Sequence, residues 1–134
     1  MAPYRSLKAW EHAQKLAVEA SKAARRFPEY EQMVLADQLR RAGYAIPLNI
    51  AEGSARRGSR EYRRFLDIAK ASLAELETIL DLAHDLGYMD DSAHTRLTAL
   101  ATETGKTLYG LLRKISTSTT PETSPLRTAR RLGV

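Results

Sequence analysis

The chain has no cysteine in its 134 residues, which excludes a disulfide framework, a thiol nucleophile and thiolate metal sites. Its histidines, His12, His84 and His94, show neither HxxxH nor HExxH spacing, and no Glu-x-x-His pair occurs, so metal-binding and di-iron signatures are missing. The one piece that looks glycine-rich, GSARRGS from Gly53, lacks both a P-loop lysine and a preceding strand. No run of about 18 apolar residues is present to cross a membrane, and MAPYRSLKAW has no apolar segment of signal-peptide length. These absences leave enzyme chemistry without parts. They predict a non-enzymatic, cytoplasmic protein with no cofactor, no metal and no membrane partner.

What is present is ordinary in amount and unusual in distribution. The length suits one domain able to bury roughly two-thirds of its unfolded surface, and 43% hydrophobic with 28% charged residues is the composition of a globular chain. The formal charge is +5, but it is polarised along the sequence. Between Ala36 and Arg64 stand Arg40, Arg41, Arg56, Arg57, Arg60, Arg63 and Arg64 against Asp37, Glu52 and Glu61, a net of +4. Between Phe65 and Asp91 stand Asp67, Glu75, Glu77, Asp81, Asp85, Asp90 and Asp91 against Lys70 alone, a net of −6.

The stretch LADQLRRAGYAIPLNIAEG, Leu35 to Gly53, organises the rest. Leu35, Leu39, Ala42, Ile46 and Ile50 recur at the spacing of one helix face turned to a core. Pro47 interrupts that face chemically: it has no N–H for the carbonyl of Gly43, and its ring crowds that carbonyl. The expectation is one proline-kinked helix over about Glu31 to Gly53, with Asn49 donating to a freed carbonyl and Gly53 as its left-handed stop. Glu52 meets the negative end of the helix dipole and calls for a cation, either Arg56, Arg57 or an arginine of another subunit.

The same residues carry a resemblance. QLRRAGYAIPLNIAEG, with FPEYE before it and SREYRRFLDIAKASLAELETILDLAHDLGY after it, resembles the four-helix-bundle proteins encoded within intervening sequences of bacterial 23S ribosomal RNA genes. The likeness spans roughly Leu7 to Ile115, and its most specific part is Ile46, Pro47, Asn49, Ile50, Ala51, Glu52 and Gly53. Gly43 and Leu48 depart from it, standing where a larger or β-branched residue and a serine are expected. The resemblance implies an up-and-down bundle assembling into a ring-like homopentamer. It also implies association with RNA or DNA.

The flanking sequence fits four helices. Ser6 is the expected N-cap of a first helix to Arg25 or Arg26, with Trp10, Ala13, Ala17, Ala20 and Ala24 on one face and Phe27-Pro28 ending it. Ser54 to Gly58 form a loop, and Ser59 caps a third helix, Arg60 to Leu86, stopped at Gly87. Phe65, Ala69, Ser72, Leu76, Ile79 and Ala83, broadened by Leu66, Leu73 and Leu80, exceed the apolar arc of about 100° that one bundle needs. That surplus predicts a subunit contact. A fourth helix starts near Asp90 or Asp91 and reaches Ile115 despite Gly105 and Gly110. Residues 1–115 thus form an all-α, up-and-down antiparallel bundle, and 116–134, with no helical period and two prolines, form a disordered tail.

Two function classes remain at this point. In the first, Arg60, Arg63 and Arg64 project from one side of the third helix at i, i+3 and i+4, Arg56 and Arg57 precede them, and Arg40 and Arg41 add charge. Such a set holds nucleic-acid phosphates without reading sequence, and Tyr62 is either a base-stacking ring or a core residue. In the second, the chain is a protein-interaction scaffold, and the same arginines pair with acids of neighbouring subunits or of another protein.

Overall fold

The computed structural model describes residues 3–118. Four α-helices make up almost all of it: α1 Lys8–Ala24, α2 Leu35–Ser54, α3 Ser59–Asp85 and α4 Asp91–Ser118, with no strand among the described residues. Short 3-10 turns, Pro3–Ser6 and Glu29–Glu31, precede α1 and α2. Each helix packs on two others, α1 and α3 both lying against α2 and α4. Cross-helix contacts fit an antiparallel order throughout: the Ser21 and Tyr44 hydroxyls lie 3.2 Å apart, Gly53 near the end of α2 packs on Phe65 near the start of α3, His94 Nε2 is 2.8 Å from Asp81, and His12 Nδ1 is 3.2 Å from the Thr107 hydroxyl. This is the four-helix bundle that the periodicity predicts.

The core follows the apolar spacing closely. Leu35, Leu39, Ala42, Ile46 and Ile50 of α2 are all buried, as are Ala13, Ala17, Ala20 and Ala24 of α1. Small side chains on α1 let α2 approach, so that a Cβ on Gly43 would sit 3.6 Å from the Ala17 Cα. The broad apolar set of α3 is largely absorbed within one chain. Leu66, Leu73, Leu76, Ile79, Leu80 and Ala83 are buried because α3 faces α2 on one flank and α4 on the other, leaving Ile68, Leu82 and Leu86 exposed.

Helix ends differ from expectation in instructive ways. Ser6 belongs to the first 3-10 turn, and Leu7, extended at φ −80° and ψ 127°, takes the cap position of α1. Gln32 ends the chain's path out of α1: its amide donates to the carbonyls of Ala24 and Phe27, both at 2.9 Å, and α2 begins only at Leu35. Gly53 is not a left-handed stop. It is buried inside α2, which continues to Ser54, and among the described residues the glycines with positive φ are Gly58 and Gly87. Gly58, rather than Ser59, stands at the N-cap position of α3. Gly87 does end α3 as predicted, with Gly87 N donating to His84 O and Tyr88 N to Ala83 O, the paired bonds of a Schellman cap. Asp90 caps α4 through the Ala93 N–H at 2.8 Å, and α4 runs three residues past Ile115. The remaining tail residues, 119–134, lie outside the described part.

Candidate nucleic-acid interface

The antiparallel arrangement collects charge that is scattered in sequence. The start of α1, the α2–α3 turn, the start of α3 and the end of α4 share one end of the bundle. That end carries Arg5, Lys8, Arg56, Arg57, Arg60, Arg63, Arg64, Arg113 and Lys114. The opposite end holds the α3–α4 turn with Asp81, Asp85, Asp90 and Asp91, and also the α1–α2 corner with Lys22, Arg25, Arg26, Arg40 and Arg41. The late acids of α3 therefore collect at one end, while basic residues stand at both.

Within the basic end the arginines divide by partner. Arg56 bonds Glu52 at 2.6 Å, which settles the cation that Glu52 required, and its guanidinium lies 4.9 Å from the Phe65 ring centre. Arg64 bonds Glu61 at 3.1 Å and also stands over Phe65, at 4.6 Å. The hydrogen bond from Arg64 holds the Glu61 carboxyl below its ordinary range. Arg57, Arg60 and Arg63 have no ion pair or hydrogen bond among the described residues. Arg57 and Arg60 are exposed and Arg63 is half-buried. No side chain caps the first turn of α3, so its backbone N–H groups are not taken up by a cap beside these guanidinium groups.

Two residues named with the cluster lie elsewhere. Arg40 and Arg41 sit near the start of α2, about 20 Å along the helix from its end. Arg40 donates to the Gln32 carbonyl at 2.7 Å, and both arginines approach Asp37 at 3.9 Å. Tyr62 is half-buried: its ring and carbonyl pack against Gly53, where a Cβ would meet its Cδ1 at 3.1 Å. Of the motif residues, Ile46, Pro47, Ile50 and Gly53 are buried, Ala51 is half-buried, and Asn49 Nδ2 donates to the Ala45 carbonyl at 2.7 Å rather than to Gly43.

Two features escaped the sequence reading. One is a stacked pair, His84 and His94, with ring centres 4.4 Å apart, each bonded to an aspartate of the other's helix, Asp91 and Asp81. The Asp91 hydrogen bond raises the His84 pKa above its ordinary value. Asp-x-x-His at both helix ends was the available signal. The second is an open groove of about 590 Å³ between α1 and α2, lined by Trp10, Val18, Tyr44, Pro47 and Leu48 with Lys22 and Arg25 at its rim. Among the described residues no group of three or more His, Asp or Glu side chains gathers to hold a metal, and no helix is long and apolar enough to cross a membrane.

Taken together these features define an all-α bundle with one end rich in arginine and no metal-binding cluster among its described residues. Residues 5–110 match the family model of the 23S rRNA-intervening sequence protein, and the chain belongs to that family. It is similar in structure to a protein of unknown function from the S23 ribosomal protein family of Bacteroides thetaiotaomicron. The TM-score is 0.73 at 22% identity, covering 78% of this chain and 97% of that one. A comparison with curated proteins gives no match.

Proposed function

We propose that the chain is a non-enzymatic subunit of a ring-like homo-oligomer that associates with RNA or DNA phosphates without reading sequence. One observation carries the nucleic-acid part: Arg57, Arg60 and Arg63 make no ion pair or hydrogen bond among the described residues and stand at a helix N-terminus without a side-chain cap, on the end of the bundle where Arg5 and Arg113 also lie. Unpaired guanidinium groups beside free N–H donors supply the salt-sensitive phosphate term. Exchanging both Arg60 and Arg63 for alanine should weaken binding to every sequence alike and flatten its salt dependence by about two counterions. Absence of gel-shift retention for the unaltered protein with any RNA or DNA at low salt would end this reading.

Assembly is supported by the apolar groove beside Pro47 and by Ile68, Leu82 and Leu86 on α3, two different patches on one surface. Contact between unlike patches is heterologous and closes into a ring when the rotation permits, and the family resemblance sets the expected number at five. A bend of α2 at Pro47 would shape the groove. Pro47→Ala should then lower the mass seen by light scattering while leaving the helix content of each chain intact. A ring repeats the basic end on every subunit, which makes a weak patch avid.

In the scaffold reading the arginines pair with acids of neighbouring subunits or of another protein, and Arg56 and Arg64 already hold Glu52 and Glu61 of their own chain. A defined protein partner recovered after nuclease treatment would favour it.

A further inference from the structure

Phosphate contacts alone do not distinguish a duplex from a single strand. The basic end also carries aromatic rings, and four of them, Tyr4, Trp10, Phe65 and Tyr109, have an arginine over them, while Tyr62 is half-buried against Gly53. Arg5 lies 5.3 Å from the ring centre of Tyr4 and 6.0 Å from that of Trp10. Phe65 has two guanidinium groups over it, both tied to glutamates, and it is itself half-buried. Trp10 packs on the core and meets Tyr4 edge-on at 5.1 Å. Tyr109 is different. It is 59% exposed, and its one contact of note is Arg113, 5.9 Å from the ring centre.

The residue after Tyr109 sharpens the point. Gly53 and Gly105 are explained by close neighbours, since a Cβ would meet Phe65 at 2.8 Å and Leu73 at 3.4 Å respectively. A Cβ on Gly110 would meet nothing within 4 Å. Glycine in a helix interior is unfavourable relative to alanine, and packing gives no reason for it here. What it leaves is bare helix surface beside Arg113, its i+3 neighbour. The antiparallel register of α3 and α4, fixed by His94 on Asp81 and by Gly105 on Leu73, sets Arg63 level with Arg113 one turn beyond the Tyr109 ring.

Resting on the nucleic-acid reading above, we propose that the occupant is an unpaired stretch of nucleic acid: a base stacks on Tyr109 while Arg60, Arg63 and Arg113 hold the flanking phosphates. A paired base has no free face to offer, whereas every unpaired base has one, so the contact selects single strands and tolerates any sequence. Ribose and deoxyribose strands share this chemistry.

The test measures fluorescence anisotropy with dye-labelled single strands of about 12 nucleotides, one of RNA and one of DNA, and with a hairpin duplex. The full chain is compared with Tyr109→Ala, Tyr109→Phe and the Arg60→Ala, Arg63→Ala double variant. The expected result is tighter binding of single strands, a loss of roughly fivefold or more on single strands only for Tyr109→Ala, and retention by Tyr109→Phe. Equal loss on duplex and single strand, or no loss on either, overturns the stacking proposal. If the double variant weakens both probes while Tyr109→Ala weakens neither, the proposal falls and the phosphate reading stands. If the unaltered chain binds no probe, both fall.

Discussion

Gly53 of α2 lies so close to Phe65 of α3 that a Cβ on the glycine would stand 2.8 Å from the Phe65 Cβ. Tyr62 closes the other side, its Cδ1 at 3.1 Å and its carbonyl oxygen at 3.2 Å from the same point. Backbone and Cβ atoms cannot swing aside as a long side chain can, so an added methyl must part the two helices where the basic end is built. Gly53→Ala should cost about 1–3 kcal/mol as an overpacking substitution, seen as a lower urea midpoint with an unchanged slope. An unchanged midpoint would show that the end of α2 is already free to move.

Gly43 predicts the opposite sign. It is buried, yet the nearest atoms to an added Cβ are the Ala17 Cα and Leu76 Cδ1 at 3.6 Å, an ordinary contact distance. Alanine there removes the entropy cost of a helical glycine without a clash, so Gly43→Ala should raise stability by about 0.5–1 kcal/mol. A loss of stability would mean that the backbone beside Pro47 needs the freedom of a residue without Cβ.

These two glycines also mark what the sequence reveals and what it conceals. Apolar spacing along α2 and α3 is a statement about which face is wet, and it placed Leu39, Ile46, Leu66 and Leu76 in the core correctly. Gly87 was legible because a glycine after a long periodic run has few other uses. Gly53 was misread for the same reason: it follows a periodic run too, and only the neighbouring helix shows that its role is clearance. The surplus of apolar residues on α3 was real, but one chain with two flanking helices hides most of it. Arg40 and Arg41 are close in sequence to the other arginines of the motif region, yet a helix carries them to the far end at 1.5 Å per residue. Sequence proximity is a poor guide to charge clustering once an element is three turns long. Tyr109 carried no signal, since exposure of a lone tyrosine is set by the packing of the rest.

The His84–Asp91 bond makes part of the stability depend on pH. His84 Nε2 lies 2.6 Å from Asp91 Oδ1, joining the end of α3 to the start of α4. That hydrogen bond first, then the charges of Asp91, Asp85 and Asp81, raises the imidazole pKa above 6.5. A raised histidine pKa stabilises the fold fully below its unfolded value, and the contribution fades as pH climbs through the folded value. Asp91→Asn should therefore lower the melting temperature more at about pH 6 than at alkaline pH, because the contribution fades as pH climbs through the raised value. The His84 ring should titrate at lower pH in the variant when followed by NMR. An equal deficit at both pH values would assign the loss to the helix dipole alone.

Arg40 and Arg60 should fail in different assays, because one is bonded and the other is not. Arg40 reaches the Gln32 carbonyl at 2.7 Å and the Gln32 side-chain oxygen at 3.3 Å, while the Gln32 amide satisfies the Ala24 and Phe27 carbonyls. Removing that guanidinium leaves Gln32 without its clamp at the α1–α2 corner. Arg40→Ala should cost about 1–2 kcal/mol, reduced from a fully buried charged bond because the side chain is partly exposed. Nucleic-acid affinity should stay unchanged, since Arg40 stands at the far end of α2. Arg60→Ala removes an exposed side chain without a partner in the fold, so its urea midpoint should move by less than about 0.5 kcal/mol while affinity drops. Parallel losses of affinity in both variants would mean that the bound strand runs the length of α2, and the basic end would not be the whole site.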